Sequence, residues 1–378
     1  MVKGLYIHIP FCDHICTYCD FPKLITKGQR HEDYIQALLI ELKHYEKQIG
    51  FHQLQSIYIG GGTPTALSVK QIQPLFDYLH QSINMNQILE FSIEANPENL
   101  TEDKVKYLLS QGISRFSLGV QTFDETLLKR IGRQHGSEHV QQAVATLKAN
   151  GMHNINLDLI YAIPGQTIEQ LKEDLKKAVS LEVEHISAYS LIVEEHTQLY
   201  LAYMKDQLAL TDNEIEAKMY EVVMDYLSNY GYQHYEISNF AKSLPSFHNQ
   251  WYWKNEEYIG TGLGAHGYIN GCRYQNTRSI NTYISSLKNN DLPIIEKNLL
   301  SKEEKIEEEM FLGLRLIEGV NLKMISQKYK LDIEQLYQKP LEKMIAAGHL
   351  ERLGNQVRLT HQGLLMANEV FEQFLLSI

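Results

Sequence analysis

Cysteine is scarce in this chain, with only four among 378 residues. Three of the four lie within positions 12–19, and the fourth stands alone at position 272. Such a distribution does not suit the disulfide framework of a secreted protein, whereas clustered thiols in a reducing compartment more often bind a metal. The sequence therefore predicts a metal-binding loop near the N-terminus.

Long apolar runs and an excess of positive charge are missing as well. No uninterrupted apolar stretch reaches the ~18 residues that a membrane-spanning helix needs, and the N-terminus lacks the apolar core and cleavage site of a secretory signal. Lys and Arg number 35 against 46 Asp and Glu, a net charge of −11, which argues against a nucleic-acid partner held through its phosphates. We expect a cytoplasmic globular protein with at most peripheral membrane association.

Short β-rich runs alternate with helical patterns over the first 200 residues. Strands separated by helices predict a parallel sheet, either open and doubly wound or curled toward a barrel. In such a barrel, ligands bind at the C-terminal ends of the strands. The six candidate strands are Leu5–Phe11, Ser56–Ile59, Leu89–Glu94, Arg115–Val120, Asn154–Tyr161 and His185–Ile192.

The pattern changes beyond residue 200. A predicted helix over Thr211–Tyr230 leads into an aromatic, glycine-rich stretch, 232–274, without clean periodicity. Three helical segments and a hairpin around Gly354-Asn355 then resemble a winged helix. Residues 301–378 carry 10 basic and 12 acidic side chains. Because a DNA-binding module would have a basic face, this one is predicted to be a packing or lid module. The predicted division is 1–200 for the core, 201–298 for an extension with the aromatic segment, and 299–378 for the C-terminal module.

Cys12, Cys16 and Cys19 form a C-x3-C-x2-C loop directly after the first predicted strand. Three thiolates on one loop can hold three corners of a cubane [4Fe–4S] cluster and leave the fourth iron open to a ligand. Structural zinc is the alternative, but zinc takes four ligands, and His14 lies inside the tight loop where its reach is doubtful. Cys272 is predicted to be a buried free thiol. The spacing favours the open cluster.

The cysteine loop after a first strand resembles the signature of the radical S-adenosylmethionine (SAM) superfamily. With segment 6–12 (YIHIPFC), it is similar to the branch that contains oxygen-independent coproporphyrinogen III oxidase and the heme chaperones of the HemW family. The likeness extends over nearly the whole chain. It implies a partial (β/α)6, TIM-like barrel with a C-terminal winged-helix-like helical module. It also implies that the open iron is chelated by the amino and carboxylate groups of SAM.

The resemblance places the SAM contacts mostly at strand ends. Glycines without Cβ atoms let the backbone approach a ligand closely. Carboxylates suit an ammonium group or ribose hydroxyls, and arginine suits a carboxylate. Taken singly, each of these residues is an ordinary strand-end or surface residue, which is the alternative interpretation. The implied SAM-site residues are Tyr6, Tyr18, Gly61, Gly62, Thr63, Glu94, Gln121, Arg133, Asp158 and Ile192.

Two features separate the members of this branch. The oxidases carry a further cysteine two places after the third ligand, where this chain has Phe21, and an N-terminal extension for which there is no room before Cys12. Segment 248–253 (HNQWYW) resembles the H-N-x-x-Y-W motif of the heme chaperones, which assigns heme binding to His248. Imidazole is a common axial ligand of heme iron, and aromatic rings can pack on the macrocycle. A packed aromatic loop with a structural histidine is the alternative, and His266 is a second candidate ligand.

The resemblance implies a heme chaperone that binds heme and a SAM-liganded [4Fe–4S] cluster. It would transfer the heme to an acceptor apoprotein, such as a respiratory cytochrome or another hemoprotein. This is a carrier function without assigned catalytic residues, and cluster assembly would favour a homodimer. The alternatives are oxidative decarboxylation of coproporphyrinogen III, an unrelated radical-SAM reaction, or a regulator that uses the winged-helix-like module.

Overall fold

The computed structural model describes residues 1–28 and 30–376. Its strands are β1 Gly4–Ile9, β2 Phe11–Cys12, β3 Leu24–Ile25, β4 Ser56–Gly61, β5 Glu90–Ala95, β6 Arg115–Gln121, β7 Ile155–Tyr161, β8 His185–Ser190, β9 Gln233–Glu236, β10 Asn239–Ala241, β11 Tyr258–Thr261, β12 His266–Ile269, β13 Cys272–Asn276, β14 Ile294–Leu299, β15 Val320–Asn321, β16 Leu350–Leu353 and β17 Gln356–Leu359. Its α-helices are α1 His31–Gln48, α2 Val69–Ser82, α3 Glu102–Ser110, α4 Glu125–Arg130, α5 Ser137–Ala149, α6 Ile168–Ser180, α7 Gln198–Tyr203, α8 Asn213–Asn229, α9 Phe247–Trp253, α10 Ile280–Lys288, α11 Lys302–Gly313, α12 Leu322–Tyr329, α13 Ile333–Leu336, α14 Gln338–Ala346, α15 His361–Leu365 and α16 Ala367–Glu372.

The six predicted strands form the centre of one large sheet. β1, β4, β5, β6, β7 and β8 lie side by side in that order, and each neighbouring pair is parallel. A doubly wound sheet would reverse its strand order at a switch point, so the sequential order is that of a β/α barrel. Within the described residues the sheet stays open, with β14 and β9 at its two edges. The predicted partial (β/α)6 barrel is confirmed.

Each of the six strands differs from the prediction by one or two residues at one or both ends, and two of these differences bear on the site. The first strand ends at Ile9 rather than at Phe11, because Pro10 has no amide hydrogen to continue the ladder. Phe11 and Cys12 then form their own short parallel pair with β3. The sixth strand ends at Ser190, so Ile192 lies in the following loop and is 67% exposed.

Alternation along the barrel strands separates an apolar outer face from a polar interior. In β5, Phe91 and Ile93 belong to the main hydrophobic cluster, which also contains the buried face of α1. Glu90, Ser92 and Glu94 occupy the alternate positions, and the hydroxyl of Ser92 donates to Glu90 Oε1 at 3.0 Å. The core therefore sits between the sheet and its surrounding helices, and the barrel interior is left to polar side chains.

The aromatic stretch extends the sheet at both ends. β10 and β9 continue it antiparallel from β8, while β11 pairs parallel with β1 and leads into antiparallel β12, β13 and β14.

In the C-terminal module, β15, β17 and β16 form a small antiparallel sheet that shares a second hydrophobic cluster with the C-terminal helices. The predicted hairpin and the winged-helix-like module are confirmed. In the described part of the chain, no helix combines the length and apolar character needed to cross a bilayer.

Candidate functional site

The cysteine loop closes over the C-terminal end of β1. Cys12 is buried and the other two cysteines are half-buried, and the Thr63 hydroxyl lies 3.7 Å from Cys12 Sγ as a donor. Burial raises the pKa of Cys12 to about 11 and also raises the pKa of Cys19. Metal ligation needs the thiolate, so binding of a metal here would release protons.

A closed zinc site would need a fourth ligand beside the three thiols. Among residues 1–28 and 30–376, no three His, Cys, Asp or Glu side chains converge on a point where one metal ion could bind. His14, the candidate fourth ligand, is exposed. A cubane cluster instead takes each thiolate on a different iron, so its ligands need not converge on one point. The donor set fits the cluster better than it fits zinc.

A cavity of about 390 Å³ opens at the C-terminal ends of the barrel strands beneath the cysteine loop. We call it the cluster cavity. It brings together all of the predicted cluster and SAM residues except Tyr6. They are Cys12, Cys16, Tyr18, Cys19, Gly61, Gly62, Thr63, Glu94, Gln121, Arg133, Asp158 and Ile192.

Glycine at the end of β4 is required by close contacts. A Cβ atom on Gly62 would lie 2.8 Å from Cys12 Sγ and 2.9 Å from the main-chain oxygen of Phe11. Gly61 has a φ of +117°, which side-chain-bearing residues rarely adopt, and its amide donates to Glu94 Oε2 at 2.9 Å. The cysteine loop and the glycine turn are thus packed backbone to backbone, which leaves the cavity floor open to a ligand.

Two carboxylates lie at the cavity wall. Glu94 accepts from the Tyr58 hydroxyl at 2.8 Å as well as from the Gly61 amide, and burial raises its pKa to about 7. Asp158 accepts from the Ser117 hydroxyl at 2.9 Å and from the Asn156 amide at 2.8 Å, and burial raises its pKa as well. Arg115 lowers both pKa values, but burial outweighs it, and a ligand ammonium group would further favour the charged carboxylates.

Arg133 carries the positive charge of the cavity. Its Nη1 donates to Asn96 Oδ1 at 2.7 Å, and its buried Nε has no hydrogen-bond partner among the described residues. Burial alone would lower the pKa of Arg133, but neighbouring Tyr18 and Cys16 raise it above its ordinary value. A buried cation with an unpaired donor fits a ligand carboxylate.

Gln121 is held in an unusual backbone conformation beside this cation. Its φ is +66°, uncommon for a residue with a side chain. Such strain is often found at functional sites. Together with the thiols, the glycine turn and the unpaired Arg133 donor, it makes the cavity suited to a [4Fe–4S] cluster and SAM.

Among the residues that line this cavity and were not predicted, Tyr58 and Asn96 contact predicted site residues. Tyr58 donates to Glu94, and Asn96 both accepts from Arg133 and donates to the Thr63 hydroxyl at 3.2 Å. Ser56 and Tyr58 alternate with Ile57 and Ile59 along the predicted strand, so period-two alternation could have pointed to Tyr58 as a residue of the polar face. Asn96 had no such signal, because its role depends on the fold of the loop after β5.

A second cavity of about 750 Å³ lies beside the first, and we call it the aromatic cavity. Its volume falls within the roughly 300–1,000 Å³ of typical small-molecule pockets. Tyr58, Glu94, Asp20 and Phe21 line both cavities. Tyr6, the remaining predicted SAM contact, faces this second cavity. The main aromatic lining residues are Tyr6, Phe21, Tyr252, Trp253, Tyr258 and Phe311.

His248 lies in the wall of the aromatic cavity and is 1% exposed. Its Nδ1 is 2.8 Å from the Ser56 hydroxyl, and its Nε2 is 2.7 Å from the Tyr252 hydroxyl. Burial, reinforced by Arg115, lowers its pKa to about 3, so the imidazole is neutral. Neither ring nitrogen is free in this arrangement, and ligation of heme iron by His248 stays a prediction.

The fold and the cluster cavity together define the chain as a radical SAM protein. The family model described as the radical SAM superfamily matches residues 6–178, and the model of the HemN C-terminal domain matches residues 300–366. Membership of the superfamily implies a [4Fe–4S] cluster and SAM.

Comparison with known proteins narrows the family further. The chain is 43% identical to the heme chaperone HemW of Bacillus subtilis, over 99% of both chains. It is 42% identical to that of Lactococcus lactis, over 99% of this chain and 98% of the relative, and 32% identical to that of Escherichia coli, over 98% of each. This chain belongs to the HemW family.

Similarity to a solved structure supports the fold of this chain but not its function. Coproporphyrinogen III oxidase from Escherichia coli, a radical SAM enzyme, superimposes with a TM-score of 0.87 at 22% identity, over 100% of this chain and 91% of that chain. The predicted architecture, barrel plus C-terminal module, is therefore shared with the oxidase, and architecture does not separate the carrier from the enzyme.

Proposed function

We propose that this chain is a heme chaperone that binds heme and a SAM-liganded [4Fe–4S] cluster and passes the heme to an acceptor hemoprotein. The observation that carries the proposal is the aromatic cavity, which adjoins the cluster cavity and is walled by rings suited to a flat macrocycle. The relatives described above, which are heme chaperones in each case, support it.

The cluster cavity would hold the cluster and SAM. Cys12, Cys16 and Cys19 would ligate three irons, and SAM would complete the cluster at the fourth iron. Gly61 to Thr63 and Glu94 would receive the ammonium group of SAM, and Arg133 would pair with its carboxylate. Gln121, Asp158, Tyr18 and Ile192 would contact the rest of SAM, with Ile192 near the adenine.

The aromatic cavity would hold the heme. Trp253 and Tyr258 line it from the extension, and Phe311 with Leu312 from α11 line it from the C-terminal module. We therefore propose a division of roles in which residues 1–200 carry the cluster site, 201–298 carry most of the heme site, and 299–378 cover it. Ligation by His248 would require its Nε2 to leave the Tyr252 hydroxyl.

We also propose the setting in which the carrier works. The acidic net charge of −11 disfavours a nucleic-acid partner, and no amphipathic basic segment in the sequence argues for peripheral membrane contact. A cytoplasmic homodimer that delivers heme to a respiratory cytochrome or another hemoprotein fits these features. Size measurement of the reconstituted protein by light scattering tests the dimer.

The proposal is tested by anaerobic reconstitution with iron and sulfide, followed by heme titration and transfer. We expect one heme per chain with a defined Soret band, and loss of that band when apomyoglobin is added as acceptor. Formation of protoporphyrinogen IX from coproporphyrinogen III, under reducing conditions with SAM and without saturable heme binding, would instead establish the oxidase alternative. Phe21, at the position of the oxidases' additional cysteine, leads us to expect no such turnover.

A further inference from the structure

The chain between β8 and α8 forms a surface loop beside the cluster cavity, and both ends of the loop are fixed to the end of β7. At its start, the amide of Leu191 donates to the main-chain oxygen of Tyr161 at 2.9 Å. At its end, the Thr211 hydroxyl donates to the main-chain oxygen of Ala162 at 3.0 Å. Surface loops whose ends lie close together are frequently functional. We call residues 192–210, between these two anchors, the strap.

The strap has few contacts with the body of the protein. All of its residues lie in the described part of the chain, and only Thr197 and Leu199 among them are buried. The amide of Leu199 donates to the main-chain oxygen of Thr17 at 2.9 Å, which attaches the strap to the cysteine loop. A segment that buries so little of itself can change its position at a low cost in free energy.

Several apolar side chains of the strap are exposed to solvent. Ile192 lines the cluster cavity, and yet it is 67% exposed. Leu201, Tyr203 and Met204, on α7 and at its end, are exposed as well. Burial of apolar surface against a ligand is favourable. A ligand in the cluster cavity therefore offers Ile192 a contact that it lacks in this conformation.

Two residues in the left-handed backbone conformation lie on either side of α7. The φ angles of His196 and Asp206 are +67° and +55°, which residues with side chains adopt uncommonly, although His and Asp do so more often than most. Between them α7, Gln198–Tyr203, is a short regular element. Residues held in such conformations cluster at switch regions. Rotation of the backbone at these two positions would move α7 as one unit.

We propose that the strap is a lid that closes over SAM in the cluster cavity. Closure moves His196 out of the left-handed conformation and brings Ile192 against the bound SAM, while the anchored ends at Tyr161 and Ala162 stay in place. The hydrogen bond to Thr17 connects this movement to the cysteine loop. The inference rests on the SAM site of the proposed function and is independent of where heme binds.

Limited trypsin digestion of the reconstituted protein, with and without SAM, tests the closure. Lys205 is the only Lys or Arg between Lys177 and Lys218, and it is exposed. Cleavage after Lys205 therefore reports on the strap, and its loss in Lys205→Gln identifies the fragments. Because cleavage follows the population of the open form, saturating SAM should slow it about fivefold or more. The exposed Lys330 of the C-terminal module is the internal control, and cleavage after it should keep its rate.

Two pairs of variants test the parts of the lid by equilibrium binding of SAM. Ile192→Ala removes the side chain that closure buries and should weaken binding about fivefold. Ile295→Ala, at a similarly exposed isoleucine outside both cavities, should bind SAM as wild type does. His196→Gly favours the left-handed, open conformation and should weaken binding about threefold. Asn290→Gly is its control, since Asn290 has a φ of +62° and lies outside both cavities.

The outcomes separate the lid from the SAM site itself. If the wild type binds no SAM, the SAM site of the proposed function fails and the lid fails with it. If SAM binds while cleavage after Lys205 keeps its rate, only the lid is overturned. Protection that increases with protein concentration would show that a second copy of the chain covers Lys205, which also overturns the lid. Wild-type SAM affinity in His196→Gly would overturn the hinge at that residue.

Discussion

The two cavities are neighbours, yet they are built differently. The cluster cavity takes its residues from the ends of consecutive parallel strands and the loops after them, so chain order and spatial order agree. The aromatic cavity combines β1, the segment around α9, the β12–β13 hairpin and α11, which are up to 300 residues apart in sequence. The cluster cavity follows from barrel topology. The aromatic cavity depends on tertiary contacts that no local sequence pattern predicts.

The wall between the cavities is thin. Tyr58 donates to Glu94, which lines both cavities, and its ring centroid lies 5.2 Å from that of His248 and 6.1 Å from that of Tyr6. Phe21, 60% exposed, also lines both. A wall one side chain thick can separate two ligands while keeping them close, and substitutions on either side of it measure how far the two sites are independent.

The largest effect should come from removing a cluster ligand. Cys12→Ala deletes one of three thiolates, and the incomplete set should lose the cluster almost entirely, as iron and sulfide analysis after reconstitution will show. Cys272→Ala, which removes a cysteine outside both cavities, should keep full iron content. Heme binding by Cys12→Ala should stay within about threefold of wild type if the wall separates the sites, since threefold is less than about 1 kcal/mol. Complete loss of heme binding would show that the cluster organises both cavities.

A substitution at the glycine turn should act on the cluster cavity alone. The added Cβ in Gly62→Ala meets Cys12 Sγ and the Phe11 backbone, and the required displacement should weaken SAM binding about tenfold or more, or about 1.4 kcal/mol. Equilibrium binding of SAM to the reconstituted protein measures this. Gly136→Ala is the matched control, because its Cβ would have only His139 Nδ1 nearby, at 3.9 Å. Equal SAM affinity in both variants would contradict the proposed glycine cradle.

The buried carboxylate of Glu94 should make stability depend on pH. Its folded-state pKa of about 7 exceeds the ordinary glutamate value of 4.5, so the folded state holds the proton more tightly and stability falls as pH rises between those values. Relative to Glu94→Gln, the ligand-free wild type should therefore lose about 1–2 kcal/mol in free energy of unfolding between about pH 5 and pH 8. Urea denaturation of both proteins measures the difference.

An exposed glutamate provides the control for this pH dependence of stability. Glu372 is exposed in the C-terminal helix, and Glu372→Gln should track wild type across the same pH range. Nearby Tyr58, Asp158 and Arg115 remain in both Glu94 proteins, so their own titration largely cancels. A constant difference between wild type and Glu94→Gln at every pH would show that Glu94 does not titrate in this window.

The sequence allows good prediction of the barrel and of the cluster cavity for physical reasons. Alternating apolar residues define strands locally, and parallel topology places the strand ends at one edge, so the strand pattern predicts a site at that edge. The resemblance to the family, and not the pattern, singled out Glu94 and Asp158. The boundary errors were small, such as the break at Pro10. In contrast, the strands of the 232–274 stretch are only three to five residues long, too short for a clear period.

The hydrogen-bond partners of His248 could not be predicted from the sequence. One partner, Tyr252, is four residues away, but the other, Ser56, is 192 positions distant. A motif can mark a histidine as important without revealing whether its nitrogens are free, because that depends on which hydroxyls the tertiary fold brings near. The same limit applies to His266. Only the structure, which places the β12–β13 hairpin beside the cavity, shows that its ring forms no hydrogen bond with the described residues.

The smallest effect on heme binding is expected from Tyr252→Phe, and this variant tests whether His248 ligates the heme iron. Tyr252→Phe removes the hydroxyl at His248 Nε2 and leaves the ring packing of this segment in place. Because a buried ring nitrogen then lacks its partner, the free energy of unfolding should fall by about 1–2 kcal/mol. If His248 does not ligate the iron, heme affinity and the Soret band should stay unchanged. Tyr337→Phe, which loses a buried bond to the Phe374 oxygen in the C-terminal module, controls for stability. If instead Tyr252→Phe binds heme more tightly with a shifted band, the freed His248 ligates iron, and hydrogen bonding to Tyr252 is what keeps it from doing so in the wild type.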